Sequence, residues 1–237
     1  MKTRQGLTIT IILLTLILTG CSNLTVVRGP SAKHAYEEAW LNASDGTLIA
    51  ANYYPSTSKK GLILIPGLGR YKEDYDEVAT KLMENYKILA YDLRGQGESQ
   101  GSADPDDPQR YKDMTLDLIA AVKTLQELGV NESNISYVGA SIGASTIVNY
   151  LKNHPSDKVV LISPGLRYHG IDISTISLQQ PLLIQVGHYD AYASLSTDDL
   201  ILLWPHARVL NYDSSAHGTD LITYDLSAHE DFLFYLS

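Results

Sequence analysis

A serine set between two glycines, Gly139-Ala140-Ser141-Ile142-Gly143, has the most direct chemical meaning of any feature in this chain. It follows the apolar run Ile135 to Val138 and precedes Ala144 to Lys152, which has helical spacing. In a strand-turn-helix setting the pattern makes a nucleophile elbow. The turn is too tight for neighbouring Cβ atoms, and the hydroxyl stands clear at the C-terminal edge of a sheet. The corresponding chemistry is acyl transfer, with Ser141 attacking an acyl carbon.

A hydroxyl is a weak nucleophile at neutral pH, so it needs a base, and the base needs an acid to hold its tautomer. The run Leu182 to Val186 leads into Gly187-His188-Tyr189-Asp190, which puts a carboxylate at a strand end. A later run, Arg208 to Tyr212, is followed by Ser214-Ser215-Ala216-His217-Gly218. Of the seven histidines, only His217 lies beyond that run and ahead of the final helical stretch. Ser141, Asp190 and His217 thus follow the order nucleophile, acid, histidine. Asp172 is the substitute acid, from the preceding unit. His188 precedes the acid, breaks the order, and reads as a residue lining the cleft. The developing oxyanion needs two backbone N–H donors. Ile142, directly after the nucleophile, is one; Leu68, in Ile65-Pro66-Gly67-Leu68-Gly69, is the other.

The elements that must hold these residues are visible as alternation. Tyr36 to Asn42 and Thr47 to Tyr54 are β-prone runs joined by Asp45-Gly46, which predicts a hairpin with a type I′ turn. Gly61 to Pro66 is continuously apolar, as a strand buried on both faces requires. Tyr75, Val78, Ala79 and Leu82 share a helical face, Lys87 to Tyr91 is a strand, and Met114 to Leu128 has helical spacing that stops at Gly129. Val159 to Ile162 is a further strand, and Leu221 to Leu236 is helical. This is an α/β pattern: a mainly parallel sheet, opened by an antiparallel hairpin and covered by helices on both faces. Asp104-Pro105-Asp106-Asp107 lacks the spacing of a calcium loop and reads as solvated loop.

Composition narrows the classes. The chain has 237 residues, one cysteine and a formal charge of −9, which excludes a disulfide scaffold and leaves no basic surface for nucleic acid. Its aromatics are 16 Tyr against 2 Phe and 2 Trp, rings suited to the walls of a wet cleft. Lys2 and Arg4 precede the apolar stretch Leu7 to Leu18, which is shorter than the roughly 18 residues that span a bilayer. It reads as a secretory signal ending in Leu18-Thr19-Gly20-Cys21.

Two resemblances follow. Leu18-Thr19-Gly20-Cys21 resembles the bacterial lipobox, which implies cleavage after residue 20, lipidation of Cys21 and an exported membrane lipoprotein, on the outer membrane or the outer face of the plasma membrane. Residues 1–20 are then signal peptide, 21–34 a lipidated cysteine and tether, and 35–237 the catalytic domain. Pro66-Gly67-Leu68-Gly69, Tyr91-Asp92-Leu93-Arg94-Gly95-Gln96-Gly97-Glu98-Ser99 and the Ser141 elbow together resemble the α/β-hydrolase superfamily, nearest to its lysophospholipase, monoacylglycerol-lipase and serine-aminopeptidase-like branch. The resemblance implies the α/β-hydrolase fold, a serine hydrolase without metal or cofactor, and a structural role for the Arg94 block beside the cleft.

Pro66 stands where the family usually has His, so an altered oxyanion loop is expected. Ser163 to Gln180 is too short for the helical cap the family often inserts, so an open cleft with no cap domain is expected, selective through Tyr168 and the Tyr189 to Tyr192 loop. The expected activity is a carboxylesterase acting on small or surface-presented acyl esters. An exopeptidase or thioesterase with the same triad, and a non-catalytic surface lipoprotein using the fold for binding, remain open, as does the oligomeric state.

Overall fold

A computed structural model describes residues 23–29 and 34–237. The strands are β1 (Leu24–Arg28), β2 (Glu37–Asn42), β3 (Leu48–Tyr54), β4 (Gly61–Ile65), β5 (Lys87–Tyr91), β6 (Ile135–Ala140), β7 (Val159–Ile162), β8 (Arg167–Tyr168), β9 (Ile171–Asp172), β10 (Leu182–Gly187) and β11 (Arg208–Tyr212). The helices are α1 (Asp76–Leu82), α2 (Pro108–Glu127), α3 (Ile142–Leu151), α4 (Ala191–Leu203), α5 (Thr219–Tyr224) and α6 (Leu226–Leu236). Nine strands form one sheet in the order β1-β2-β3-β5-β4-β6-β7-β10-β11. It is antiparallel from β1 through β5 and parallel from β5 onward. This is the expected α/β-hydrolase architecture.

The central strands are buried at every position and largely apolar because both of their faces are covered. Along β4, Ile63 and Ile65 enter one core, with Met114, Leu118 and Leu125 of α2, Ile147 of α3 and Leu200 of α4. Leu62 and Leu64 enter the other, with Val78 and Leu82 of α1, Leu221 of α5 and Phe232 of α6. The period of two in the strands therefore sorts residues into two layers, and the helices alternate sides to meet them.

Four elements differ from the sequence reading. The segment expected to be a tether contains β1, which pairs antiparallel with β2, and Asn23 donates from its amide and its Nδ2 to the Glu127 carboxylate at 2.9 and 2.8 Å. Its side chains are largely exposed, so they carried no periodic signal; a neighbouring edge supplies the order. The β2–β3 turn is not type I′. Only Gly46 has positive φ (+85°), and its amide closes on Ala43 O at 2.8 Å, so the turn needs one left-handed residue rather than two. The C-terminal helical stretch is broken at Asp225, whose extended backbone starts α6 and whose carboxylate accepts from Ala228 N at 3.0 Å. Finally, α4 has no regular apolar face to read: it buries Ser196 and Thr197 beside Ala193 and Leu200 and exposes Leu195 and Leu202.

Between β7 and β10 the chain makes only the small β8–β9 hairpin, so no cap covers the sheet edge among the described residues. The Asp104 to Asp107 run is a loop, and Asp107 accepts from Gln109 N at 3.0 Å to cap α2, with Pro108 in the first turn. The Arg94 block is structural, as expected. Arg94 is buried with Asp117, its Nη2 2.7 Å from Asp117 Oδ1, while its Nη1 reaches Asp45 at 2.9 Å. This one side chain joins the β5 loop, α2 and the β2–β3 turn.

Removing the guanidinium leaves a carboxylate buried without its partner, which costs about 3–5 kcal/mol. Arg94→Ala is expected to lower the urea midpoint accordingly, and Arg94→Lys to recover only part, because an ammonium cannot reproduce the fork. A change below about 1 kcal/mol in Arg94→Ala would show the pair to be dispensable.

Candidate active site

The elbow joins β6 to α3 as the glycine spacing requires. Ser141 has φ 53° and ψ −117°, a conformation that costs an ordinary residue about 1–3 kcal/mol and persists only when its surroundings impose it. They do so by contact. A Cβ on Gly139 would lie 2.6 Å from Ala144 N, and one on Gly143 would lie 2.7 Å from Ile65 O and Pro66 O. Ser141 N also donates to Ile162 O at 2.9 Å, tying the elbow to the end of β7.

Asp190 follows β10 and opens α4, with its amide on Gly187 O at 3.1 Å. His217 lies in the loop between β11 and α5. The two loops run together: His188 N donates to Tyr212 O at 2.8 Å and Tyr189 N to Ser214 O at 2.9 Å. Across this junction His217 Nδ1 is 2.7 Å from Asp190 Oδ2, and His217 Nε2 is 2.8 Å from Ser141 Oγ. The carboxylate side is covered and the imidazole half-open, with side-chain exposures of 9% and 47%. A neutral imidazole held this way has its proton on Nδ1, facing the carboxylate, and a free lone pair on Nε2 facing the hydroxyl.

Of the other sequence candidates, Gly67 lies against the elbow; a Cβ there would be 3.2 Å from Ser141 Cβ. In that loop Arg70 N closes on Gly67 O at 3.3 Å and the Gly69 amide donates to Gln96 Oε1, so the Leu68 amide is not used by the turn itself. Ile142 N, at the first position of α3, lies beyond the helix's own hydrogen bonding. Asp172 is engaged elsewhere: its carboxylate binds Ser174 Oγ at 2.6 Å, Ser174 N at 2.9 Å and Arg167 Nε at 2.9 Å, partners that hold its pKa down at about 2, while the histidine contact goes to Asp190. His188 does not line the cleft. Its exposed ring meets Tyr189 edge-on at 4.9 Å, because its backbone continues the β10–β11 ladder and turns the side chain away. Cys21 lies outside the described residues, as does the Leu7 to Leu18 stretch.

The cleft over Ser141 has a volume of about 310 Å³. Tyr168 and Tyr192 line it, as expected of Tyr168 and the Tyr189 to Tyr192 loop, but Tyr189 is exposed outside it, and Ser145, Ser163 and Gly165, which the sequence reading does not include, complete the lining. Ser163 has φ 48° and accepts from Gly218 N at 3.0 Å, fixing the loop beside His217. Its position one residue past β7, at the same sheet edge as Ser141, is the signal that could have found it. A second tie is Arg70, on the Leu68 loop. Its Nε donates to Asp74 Oδ2 at 2.8 Å and Thr219 Oγ1 at 3.1 Å, and its Nη2 to Asp220 Oδ1 at 2.5 Å. The loops holding Leu68 and His217 are therefore bound to each other.

Known structures share this arrangement of elements. An esterase from Pyrococcus furiosus, Pf2001, superposes with a TM-score of 0.70 at 17% identity, over 90% of this chain and 97% of that one. An esterase from Exiguobacterium antarcticum gives 0.65 at 16% identity, over 83% and 97%. The enol-lactonase from Burkholderia xenovorans LB400 gives 0.68 at 15%, over 83% and 97%. At these identities the likeness is one of fold. The sequence profile of the family Hydrolase_4, described as serine aminopeptidase, S33, matches residues 56–196, a span that begins before β4 and includes Ser141 and Asp190. The chain thus belongs to the Hydrolase_4, serine aminopeptidase S33 family of α/β-hydrolases.

Proposed function

We propose that this protein is a membrane-anchored serine hydrolase, a carboxylesterase acting on small or surface-presented acyl esters. The observation that carries the reading is the unbroken chain from Asp190 Oδ2 through His217 to Ser141 Oγ, at 2.7 and 2.8 Å, assembled from the ends of three different strands. Esterases among the structural neighbours agree with it.

In this mechanism His217 Nε2 takes the Ser141 proton as Oγ bonds to the acyl carbon. The carbonyl oxygen becomes an oxyanion held by the Leu68 and Ile142 amides, and Asp190 stabilises the imidazolium without taking its proton. The oxyanion collapses, the bond to the leaving oxygen breaks, and His217 returns the proton to the departing alcohol. Water then repeats the sequence against the acyl-serine and releases the acid. An ester fits this cleft better than a peptide N-terminus does. Among its lining residues the only carboxylate is Asp190, whose Oδ2 is committed to His217, so the cleft offers a substrate ammonium group no carboxylate outside that pair.

The anchoring half of the proposal rests on Lys2, Arg4, the Leu7 to Leu18 stretch and the lipobox resemblance ending at Cys21. Two or three acyl chains provide firm attachment at about 0.8 kcal/mol per buried CH₂. With Asn23 docked on Glu127, a lipid on Cys21 would hold the β1 edge close to the bilayer.

Three outcomes are expected. Ser141→Ala and His217→Ala each abolish labelling by a fluorophosphonate probe, and stoichiometric labelling of either variant removes that residue from the assignment. Asp190→Asn keeps the fold but lowers kcat on p-nitrophenyl butyrate by about 10⁴-fold, the size of loss seen when a triad histidine is left in the wrong tautomer; a loss under tenfold would discount Asp190 as the orienting acid. Cys21→Ala, expressed in a bacterial host with lipoprotein processing, moves the protein from the detergent phase to the aqueous phase in Triton X-114 partition. Unchanged partition of that variant would exclude Cys21 as the anchor.

A further inference from the structure

On the α4 side the cleft over Ser141 is bounded by Tyr192, and the same residue bounds a second groove of about 290 Å³, lined further by Leu166, Arg167, Leu195, Ser196 and Asp199. Tyr192 lines both spaces. The rest of the partition is the backbone where it passes from Gly165, facing the cleft, to Leu166 and Arg167, facing the groove.

The ring is seated deliberately tightly. A Cβ at Gly165 would come within 2.9 Å of Tyr192 Cε1, so the glycine is what lets the ring lie flat on this backbone. The Tyr192 hydroxyl donates to Arg167 O and accepts from Arg167 N at 3.3 Å. Tyr168 flanks it, ring centroids 6.3 Å apart. Arg167 is in turn pinned to Asp172 and Ser174 at 2.9 Å each, so the β8–β9 hairpin backs the latch. The groove behind is partly apolar, and Leu195 within it is 69% exposed.

Resting on the esterase reading, we propose that Tyr192 is the residue that sets substrate chain length. Its ring is a removable wall between the catalytic cleft and a partly apolar groove in which an aliphatic chain would lie along Leu166 and Leu195. With the wall in place the substrate's chain would stop at Tyr192, giving a short-chain preference without any cap. With the wall removed, methylenes beyond it gain apolar cover, each worth up to about fourfold in binding. Tyr192 is 46% exposed on the first turn of α4, so its truncation removes little from the core.

The test compares wild type, Tyr192→Ala and Tyr192→Phe on p-nitrophenyl butyrate and p-nitrophenyl dodecanoate. It also measures dodecanoate binding by calorimetry with each of the three in a Ser141→Ala background. Tyr192→Ala is expected to raise the dodecanoate-to-butyrate ratio of kcat/KM at least tenfold and to tighten dodecanoate at least fivefold. Tyr192→Phe, which keeps the ring, stays within threefold of wild type in both. A Tyr192→Ala protein with native circular dichroism and unchanged dodecanoate affinity overturns the proposal, as does a Phe variant that behaves like Ala. If wild type hydrolyses neither ester but the Ala variant still gains dodecanoate affinity, the esterase reading fails and the wall stands.

Discussion

The structure depends on one tight backbone crossing, where the elbow at Ser141 passes under the end of β4. The φ of 53° is unfavourable for a serine, and the energy to hold it comes from the packing of α3 against β6 and the Pro66 turn. The glycines at 139 and 143 make that approach possible, with backbone where any side chain would collide. Once the crossing is formed, the hydroxyl is raised at the sheet edge and the Leu68 loop is brought beside it. The same contact thus builds the nucleophile's pose and the proximity of Gly67.

Around that crossing, ionic and hydrogen-bonded ties hold otherwise independent loops. Lys72 is buried, and its Nζ lies 2.9 Å from carboxylates of Asp92 and Glu98, which joins the segment after the Leu68 loop to the β5 loop. Burial works against the ammonium, but Glu73, Glu98 and Asp92 outweigh it and raise its pKa. Arg70 does the same toward α5, through Asp74, Thr219 and Asp220. Surface pairs contribute little stability on their own. Networks of this kind matter because they fix the relative position of loops from distant parts of the sequence, and in an enzyme site a misplacement of about 1 Å can cost about a hundredfold in rate.

The absence of a cap among the described residues gives the site its character. Beside the cleft, α4 exposes Leu195 and Leu202, the latter 82% exposed, while Ser196 and Thr197 join Ala193 and Leu200 on its buried face. The cleft walls are then tyrosines, whose rings exclude some water and whose hydroxyls remain satisfied at the surface, as with Tyr192 on Arg167. A cleft built this way is shaped by individual rings rather than by a lid.

Local pattern by itself marked the sheet, the elbow and the candidates Asp190 and His217. Strand burial, helical spacing and the two elbow glycines are short-range requirements, and Asp190 and His217 could be chosen because each sits just past a strand whose apolar run is legible. What only the tertiary structure decided depends on distant partners. The segment Leu24–Arg28 becomes a strand because β2 offers an edge, a fact absent from its own side chains. α4 has no periodic apolar face to read, since its inward residues include Ser196 and Thr197. Asp172 is held away from the histidine, and Asp190 takes that contact, because Arg167 and Ser174 claim the Asp172 carboxylate. Ser163 and Gly165 line the cleft because the β7 end lies beside the elbow in space. Periodicity reports which face of an element is covered, but not what covers it, and a site is made of the covering.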